Sequence, residues 1–171
     1  MEHNQKRFSY FVYLGIAVLY FFIFIFSRIP GLSLTLFGVT PVLLIPALMA
    51  GAMFFKESFS LIMGIYVGVL LDSTTATGFF NTAAFAVIGF WAGILATHLL
   101  NKNLRAAALL TLIMSFVYYF AKWFFYILLG NEPQKMAYLF QISIPSCIYT
   151  TLYIIPFYFL FRFIYKRFSL N

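Results

Sequence analysis

The sequence predicts an all-α membrane protein that folds as a six-helix transmembrane bundle. Hydrophobic residues make up 64% of its 171 residues and charged residues only 9%, whereas soluble domains carry about 25% charged residues. So few charges cannot cover the surface of a water-soluble protein, and the chain therefore requires lipid around it. Its length allows about six crossings of roughly 20 residues each, with short connections. We expect a single polytopic membrane domain over residues 1–171.

Six apolar runs, separated by short segments rich in Gly, Pro, Asn or charge, predict the six crossings. They cover residues 8–26, 34–55, 59–71, 79–100, 106–129 and 137–165. A backbone in lipid must satisfy its own hydrogen bonds, and the runs lack the short alternating pattern of a barrel, so each run is predicted to be helical. Prolines at 41, 46, 145 and 156 are predicted to kink or interrupt the second and sixth helices.

The basic residues predict the orientation of the bundle, since Lys and Arg concentrate in cytoplasmic loops. With the N-terminus inside, the cytoplasmic side carries Lys6, Arg7, Lys56, Lys102, Arg105, Arg162, Lys166 and Arg167. The other side carries Arg28 and Lys135 beside Asp72 and Glu132. Both termini are therefore expected in the cytoplasm. The net charge of +7 is explained by this bias, and no nucleic-acid partner is expected.

The residues that could carry chemistry are few. The sequence has no nucleophile-elbow, zinc-protease or phosphate-loop motif, and spacing brings no two carboxylates together. His98 is interpreted as a histidine favoured by the negative end of its helix. Ser146 and the single Cys147 have no histidine placed to activate them. We expect no enzymatic activity, no cofactor and no metal site.

Small residues four apart occur on three of the predicted helices. The third has Gly64 and Gly68, the fourth has Gly89 and Gly93, and a related Ala-x-x-x-Gly pair ends at Gly51 on the second. Such spacing lets two helix backbones approach closely. The glycines either pack the bundle internally or form a docking face for another membrane protein.

Two charged residues lie where the membrane makes charge expensive. Asp72 ends the third predicted helix, and Lys122 lies within the fifth at a similar expected depth. Ionisable residues at such depths usually face the bundle interior and have a partner. Lys122 either extends alone to the interface, pairs with Asp72 directly or through water, or contacts a ligand or partner protein. Asp72 can also accept hydrogen bonds from the amides of residues 73–77.

Aromatic residues cluster near the outer end of the fifth predicted helix. Tyr118, Tyr119, Trp123 and Tyr126 lie within two turns of one another. Tyr and Trp are common at membrane interfaces. The cluster is therefore either an interfacial belt or a contact surface.

Residues 64–72 read GIYVGVLLD and are followed by a Ser/Thr-rich turn and an apolar helix with Gly89 and Gly93. This stretch resembles the third and fourth helices of the rod-shape-determining protein MreD family. Residues 144–152, IPSCIYTTL, then Pro156 and a basic end, resemble its last helix, in which Pro145 and Ser146 match a Pro-Ser or Pro-Thr pair. Length and span count also fit, although Thr150 and Thr151 stand where the family commonly has Asn.

The resemblance implies a non-enzymatic scaffold or regulator of the bacterial cell-elongation complex in the cytoplasmic membrane. Its expected partner is an MreC-like bitopic protein, and through it MreB-like filaments, RodA and a penicillin-binding transpeptidase. Such a scaffold is expected to have a polar-poor interior, close-packing glycines and a hydrophobic groove that faces the partner.

The MreD-like family is also similar in fold to the S components of energy-coupling-factor vitamin transporters. This similarity supplies the alternative of a substrate-binding subunit. It predicts an outer cavity with several polar groups and small residues four apart on the first helix, where Gly15 is instead followed by Leu19. A membrane enzyme is the third and weakest interpretation.

Overall fold

The apolar runs form helices throughout the part of the chain that the structure describes. A computed structural model describes residues 2–29, 41–75, 78–128 and 139–168, and no strand occurs among them. The helices are α1 (Glu2–Arg28), α2 (Leu44–Phe54), α3 (Glu57–Asp72), α4 (Phe80–His98), α5 (Leu104–Lys122), α6 (Ile144–Leu152) and α7 (Ile154–Phe168). A π-helical turn, Trp123–Leu128, continues α5, and another, Leu139–Ser143, leads into α6. The all-helical prediction is confirmed for these residues.

Three helical stretches in the described chain are long and apolar enough to cross a bilayer. They are Phe80–His98, Leu104–Phe125 and Phe140–Arg167. Val12–Arg28 and Leu44–Phe54 are shorter apolar helices. These three stretches therefore support the prediction that the chain is a membrane protein.

Helix α2 forms the centre of the bundle. Every residue from Leu44 to Phe54 is buried, as expected for a helix that is apolar on all sides. It contacts α1, α3, α4, α5, α6 and α7. Gly51 leaves space for Tyr20 of α1, since a Cβ at position 51 would lie 2.5 Å from the hydroxyl of Tyr20. That hydroxyl donates to the carbonyl of Ala47 at 3.1 Å, which ties α1 to the central helix.

The prolines mark where helical segments begin. Helix α2 starts at Leu44, ten residues later than predicted, and Pro46 occupies its first turn. A proline ring clashes with the carbonyl four residues earlier and has no N–H to donate, which favours a helix that starts near position 46 over one that continues from upstream. Pro145 lies in the first turn of α6, and Pro156 follows the break at Tyr153 between α6 and α7. Residues 34–40 of the predicted second span lie outside the described chain.

Helices α1 to α5 run in alternating directions, and α6 and α7 together form one further stretch, Phe140–Arg167, so that named residues collect at two ends. At one end the carboxylate of Glu57 contacts His98, and the hydroxyl of Tyr158 donates to the carbonyl of Lys102 at 2.7 Å. At the other end Arg28, Leu71 and Lys122 line one cavity. These are called the His98 end and the Lys122 end below.

Candidate functional site

Helices α3 and α4 form the closest contact in the bundle, through four glycines. A Cβ built on Gly93 would lie 2.9 Å from the Cα of Glu57, and one on Gly68 would lie 2.8 Å from the carbonyl oxygen of Asn81. A Cβ on Gly89 would lie 3.3 Å from the Cα of Gly64. Two helix backbones therefore touch along this line, and any larger side chain would separate them. The glycines predicted from their spacing lie inside the chain's own hairpin.

The turn between α3 and α4 is closed by the side chain of Asp72. Its Oδ1 accepts hydrogen bonds from the backbone N–H and the side-chain amide of Asn81, at 3.1 and 2.9 Å. Its Oδ2 accepts from the backbone N–H and hydroxyl of Thr82, at 2.8 and 2.6 Å. The carboxylate thus satisfies free N–H groups in the first turn of α4, where negative charge is favoured.

The sequence pattern did not predict Asn81 and Thr82 as partners of Asp72. Local turn amides and Lys122 were the expected partners, because they are either adjacent in sequence or opposite in charge. A usable signal was present, since Gly78 lies shortly before Asn81 and Thr82 at the start of an apolar run. Gly78 adopts a φ of +61°, which reverses the chain and brings the start of α4 back to the end of α3.

A second hydrogen bond extends this arrangement to α5. Asn81 is buried and accepts from the hydroxyl of Tyr118 through its Oδ1, at 2.9 Å, while its side-chain amide also donates to Thr75 at 3.2 Å. We call Asp72, Thr75, Asn81, Thr82 and Tyr118 the polar network. It joins three helices at the Lys122 end. Its bond between Asn81 and Tyr118 is buried and its other bonds are partly buried, so the Asn81–Tyr118 bond is the one most costly to break.

The aromatic cluster of α5 is part of the core at the positions whose side chains are described. Tyr118, Tyr119 and Trp123 are all buried, so an interfacial belt is the wrong interpretation for them. The hydroxyl of Tyr119 lies 3.1 Å from that of Thr150 on α6, which also approaches the backbone N–H of Val42 at 3.4 Å. Thr150 therefore makes polar contacts with α5 and with the segment that leads into α2. The side chain of Tyr126 lies outside the described residues.

A polar cavity of about 230 Å³ opens at the Lys122 end. Its lining comes from α1, α3, α4, α5 and the segment that leads into α2: Ser27, Arg28, Pro41, Val42, Leu43, Leu44, Leu71, Thr75, Asn81, Tyr118 and Lys122. Lys122 is half-buried and Arg28 is exposed. The structure thus places Lys122 beside a second cation, and its pairing with Asp72 stays a prediction.

An apolar groove of about 290 Å³ lies between α4 and α5. Its lining residues are Phe80, Ala83, Ala84, Val87, Ile88, Val117, Tyr118, Ala121 and Phe125. Val87 and Val117 are 56% and 46% exposed, so the groove opens outward from the bundle. We call this surface the α4–α5 groove.

The remaining predicted residues have local partners. His98 Nε2 lies 2.7 Å from Glu57 Oε1 and is 65% exposed, so the histidine forms a surface pair between α4 and α3. Ser146 is buried and donates through its hydroxyl to the carbonyl of Ile142 at 2.6 Å. Pro145 is half-buried beside it, and Cys147 Sγ lies 3.6 Å from the carbonyl of Leu112 on α5. These contacts fit structural roles for Pro145 and Ser146.

In the described chain, His, Cys, Asp and Glu side chains nowhere form a group of three that could hold a metal ion. The features that remain as functional candidates are therefore the α4–α5 groove, the polar network and the cavity lined by Arg28 and Lys122. No protein-family model matches this chain, and no curated protein or solved structure matches it.

Proposed function

We propose that this protein is an MreD-like scaffold in the bacterial cytoplasmic membrane. In this role it binds an MreC-like bitopic protein and couples lateral peptidoglycan synthesis to cell shape, with MreB-like filaments, RodA and a penicillin-binding transpeptidase as indirect partners. The role is non-enzymatic and requires no cofactor. The sequence resemblance motivates the proposal, and the α4–α5 groove is the structural observation that supports it best.

The groove suits a single transmembrane helix as its occupant. It lies between two helices that are each long and apolar enough to cross a bilayer, so a partner there must also be apolar over that depth. Ala83, Ala84 and Ala121 keep its floor low, and helices associate in lipid through close packing at such small residues. A bitopic protein supplies one helix of this kind.

Filling the groove is expected to reduce partner binding. Val87→Trp should lower recovery of the bitopic partner in affinity purification from native membranes by about tenfold, which corresponds to about 1.4 kcal/mol of lost packing. Val69→Trp is the matched control, because Val69 on α3 is 51% exposed and Val87 is 56% exposed. Mass spectrometry of the eluate measures both variants.

Equal recovery of the bitopic partner with Val87→Trp and with Val69→Trp would show that the groove is not part of the partner interface. Recovery of an ATPase pair and a coupling membrane subunit from the unmodified protein, in place of wall-synthesis proteins, would contradict the scaffold itself.

We also propose that the full chain crosses the membrane six times with both termini in the cytoplasm. The alternating helix directions support this arrangement, because they collect Lys56, Lys102, Lys166 and Arg167 at the His98 end, as the bias of basic residues requires. The Lys122 end would then face outward.

Cysteine labelling is expected to follow this orientation. In a Cys147→Ser background, a cysteine at position 132 should react with a membrane-impermeant thiol reagent in intact cells, and a cysteine at position 102 should react only after the cells are opened. Labelling of position 102 from outside, with position 132 protected, would show that the orientation is the inverse of the one proposed.

One observation favours the alternative of a substrate-binding transporter subunit. That function requires an outer cavity with several polar groups, and the cavity at the Lys122 end has them. Helix α1 offers little to a coupling subunit beyond Gly15, which has open space around it and a leucine four residues later. The scaffold therefore remains our proposal.

A further inference from the structure

The cavity at the Lys122 end concentrates positive charge. Arg28, the last residue of α1, and Lys122, the last residue of α5, both line it. No carboxylate is among the lining residues in the described part of the chain. Two like charges that share a partly enclosed space at the end of a membrane bundle repel one another and lose hydration, and a bound anion offsets both effects.

The chain has few carboxylates of its own to offer this cavity. It contains four acidic residues in all. Glu57 contacts His98 at the opposite end, and Glu2 begins α1, about 40 Å from Arg28 along a helix that rises 1.5 Å per residue. Asp72 directs both of its oxygens to Asn81 and Thr82. Glu132 lies outside the described residues.

The other polar groups of the cavity indicate that its ligand is recognised by charge. The hydroxyl of Ser27 donates to the carbonyl of Phe24 at 2.7 Å, that of Thr75 donates to Leu71 at 2.8 Å, and that of Tyr118 donates to Asn81. The hydroxyl donors are thus engaged within the protein. The two cations are the groups best suited to a ligand, which favours an anion over a neutral molecule.

The N-terminal end of α2 also borders the cavity, since Leu43 and Leu44 are among its lining residues. The helix dipole adds a partial positive charge there. The N–H of Ile45 donates to the carbonyl of Val42 at 3.0 Å and Pro46 has none, so the two side-chain cations are the main donors to a ligand. An arginine guanidinium presents a fork of donors that matches phosphate, and a lysine contributes a compact charge beside it.

Size and position identify the class of anion. The volume of about 230 Å³ is below the roughly 300–1,000 Å³ that is usual for drug-sized ligands, so the cavity suits a single head group. It lies at helix ends, where lipid head groups meet the protein. We propose that Arg28 and Lys122 form a binding site for the phosphate of an anionic phospholipid head group.

The test reconstitutes the full chain in nanodiscs of phosphatidylcholine that contain a minor fraction of phosphatidylglycerol. Native mass spectrometry then counts the lipids retained by the released protein. We expect retained phosphatidylglycerol to exceed its share of the bilayer by at least about tenfold. Both lipids offer a phosphate, but the quaternary ammonium of phosphatidylcholine is repelled by Arg28 and Lys122. Arg28→Gln and Lys122→Met should each abolish the preference. Lys102→Gln, which removes a cation at the opposite end, should retain it.

The phosphate bound by Arg28 and Lys122 could belong to a lipid head group or be a free ion. Titration of inorganic phosphate into pure phosphatidylcholine nanodiscs distinguishes the two. One contrary outcome is that phosphate raises the thermal stability of the unmodified protein saturably, that both cavity variants lose this effect, and that no lipid preference is seen. This outcome would assign the site to a free anion and contradict lipid binding. Absence of both effects in the unmodified protein would overturn the site without reference to how well a variant folds. A second contrary outcome is that Glu132→Gln loses as much thermal stability as Lys122→Met and that no lipid preference is seen. The Glu132 carboxylate, and not a lipid, would then neutralise the cations of the cavity.

Discussion

Replacing Gly68 by Leu is expected to prevent the α3–α4 hairpin from closing. A Cβ at this position would already lie 2.8 Å from the Asn81 carbonyl oxygen and 2.9 Å from the Thr82 backbone nitrogen, so the clash is with backbone that no rotamer change can move. Overpacking of well-packed sites usually costs about 1–3 kcal/mol, and displacement of a whole helix should exceed that. The folded fraction after detergent extraction, measured by size-exclusion chromatography, should fall to a small part of that of the unmodified protein.

Gly15→Leu is the matched control for this prediction. Gly15 has no atom within 4 Å of its built Cβ, so the same substitution on α1 meets open space. The protein should remain monodisperse, with a thermal transition close to that of the unmodified chain. Similar losses in Gly15→Leu and Gly68→Leu would show that helix contact is not what selects glycine at position 68.

Replacing Asp72 by Asn is expected to have the next largest effect. An amide retains one acceptor oxygen but turns its NH2 group toward N–H or O–H donors, so two of the four bonds from Asn81 and Thr82 are lost. Hydrogen bonds to charged groups contribute about 1.5–3 kcal/mol, and the free energy of unfolding should fall by an amount in this range. Thr82→Val removes one of the four bonds and leaves the charge, and should cost about 1.5 kcal/mol, at the lower end of this range. Glu57→Gln breaks only a largely exposed pair and should change stability by less than about 0.5 kcal/mol.

The same variants decide whether Lys122 belongs to the arrangement around Asp72. If Asp72 and Lys122 form a pair, Asp72→Asn and Lys122→Met together should destabilise the protein by less than the sum of the two single effects. Strict additivity would eliminate the pair and leave Asp72 as the residue that closes the hairpin. A silent Asp72→Asn would contradict the structural role derived from its four hydrogen bonds.

The local pattern of the sequence was sufficient to predict helices α3 and α4 and the glycine contact between them. Helices α3 and α4 begin and end within two residues of the predicted positions, because a run of apolar residues in lipid has helix as its main solution. Gly64 and Gly89 could be assigned to a close contact because the absence of a side chain has one main use at that spacing. The predicted start of the second helix at residue 34 differs from the start of α2 at Leu44, because the apolar pattern does not show which of the predicted outcomes, a kink or an interruption, a proline such as Pro46 produces.

The polar contacts were harder to predict because they join residues that are far apart in sequence. Asn81 and Tyr118 are separated by 37 positions, and nothing in either local pattern indicates the other. Tyr118 and Tyr119 have the composition of an interfacial belt, yet both are buried. The cavity shared by Arg28 and Lys122 depends on how α1 and α5 pack around α2, which periodicity does not specify.

Depletion of the protein in a rod-shaped bacterial host tests the scaffold most directly. If the protein links wall synthesis to its cytoskeletal guide through a bitopic partner, cells should lose their rod shape and become round as the protein is diluted by growth. Re-expression of the unmodified chain should restore rods, and Val69→Trp should restore them where Val87→Trp does not. Rods of normal shape that have lost the uptake of one vitamin would contradict the scaffold and establish the transporter subunit in its place.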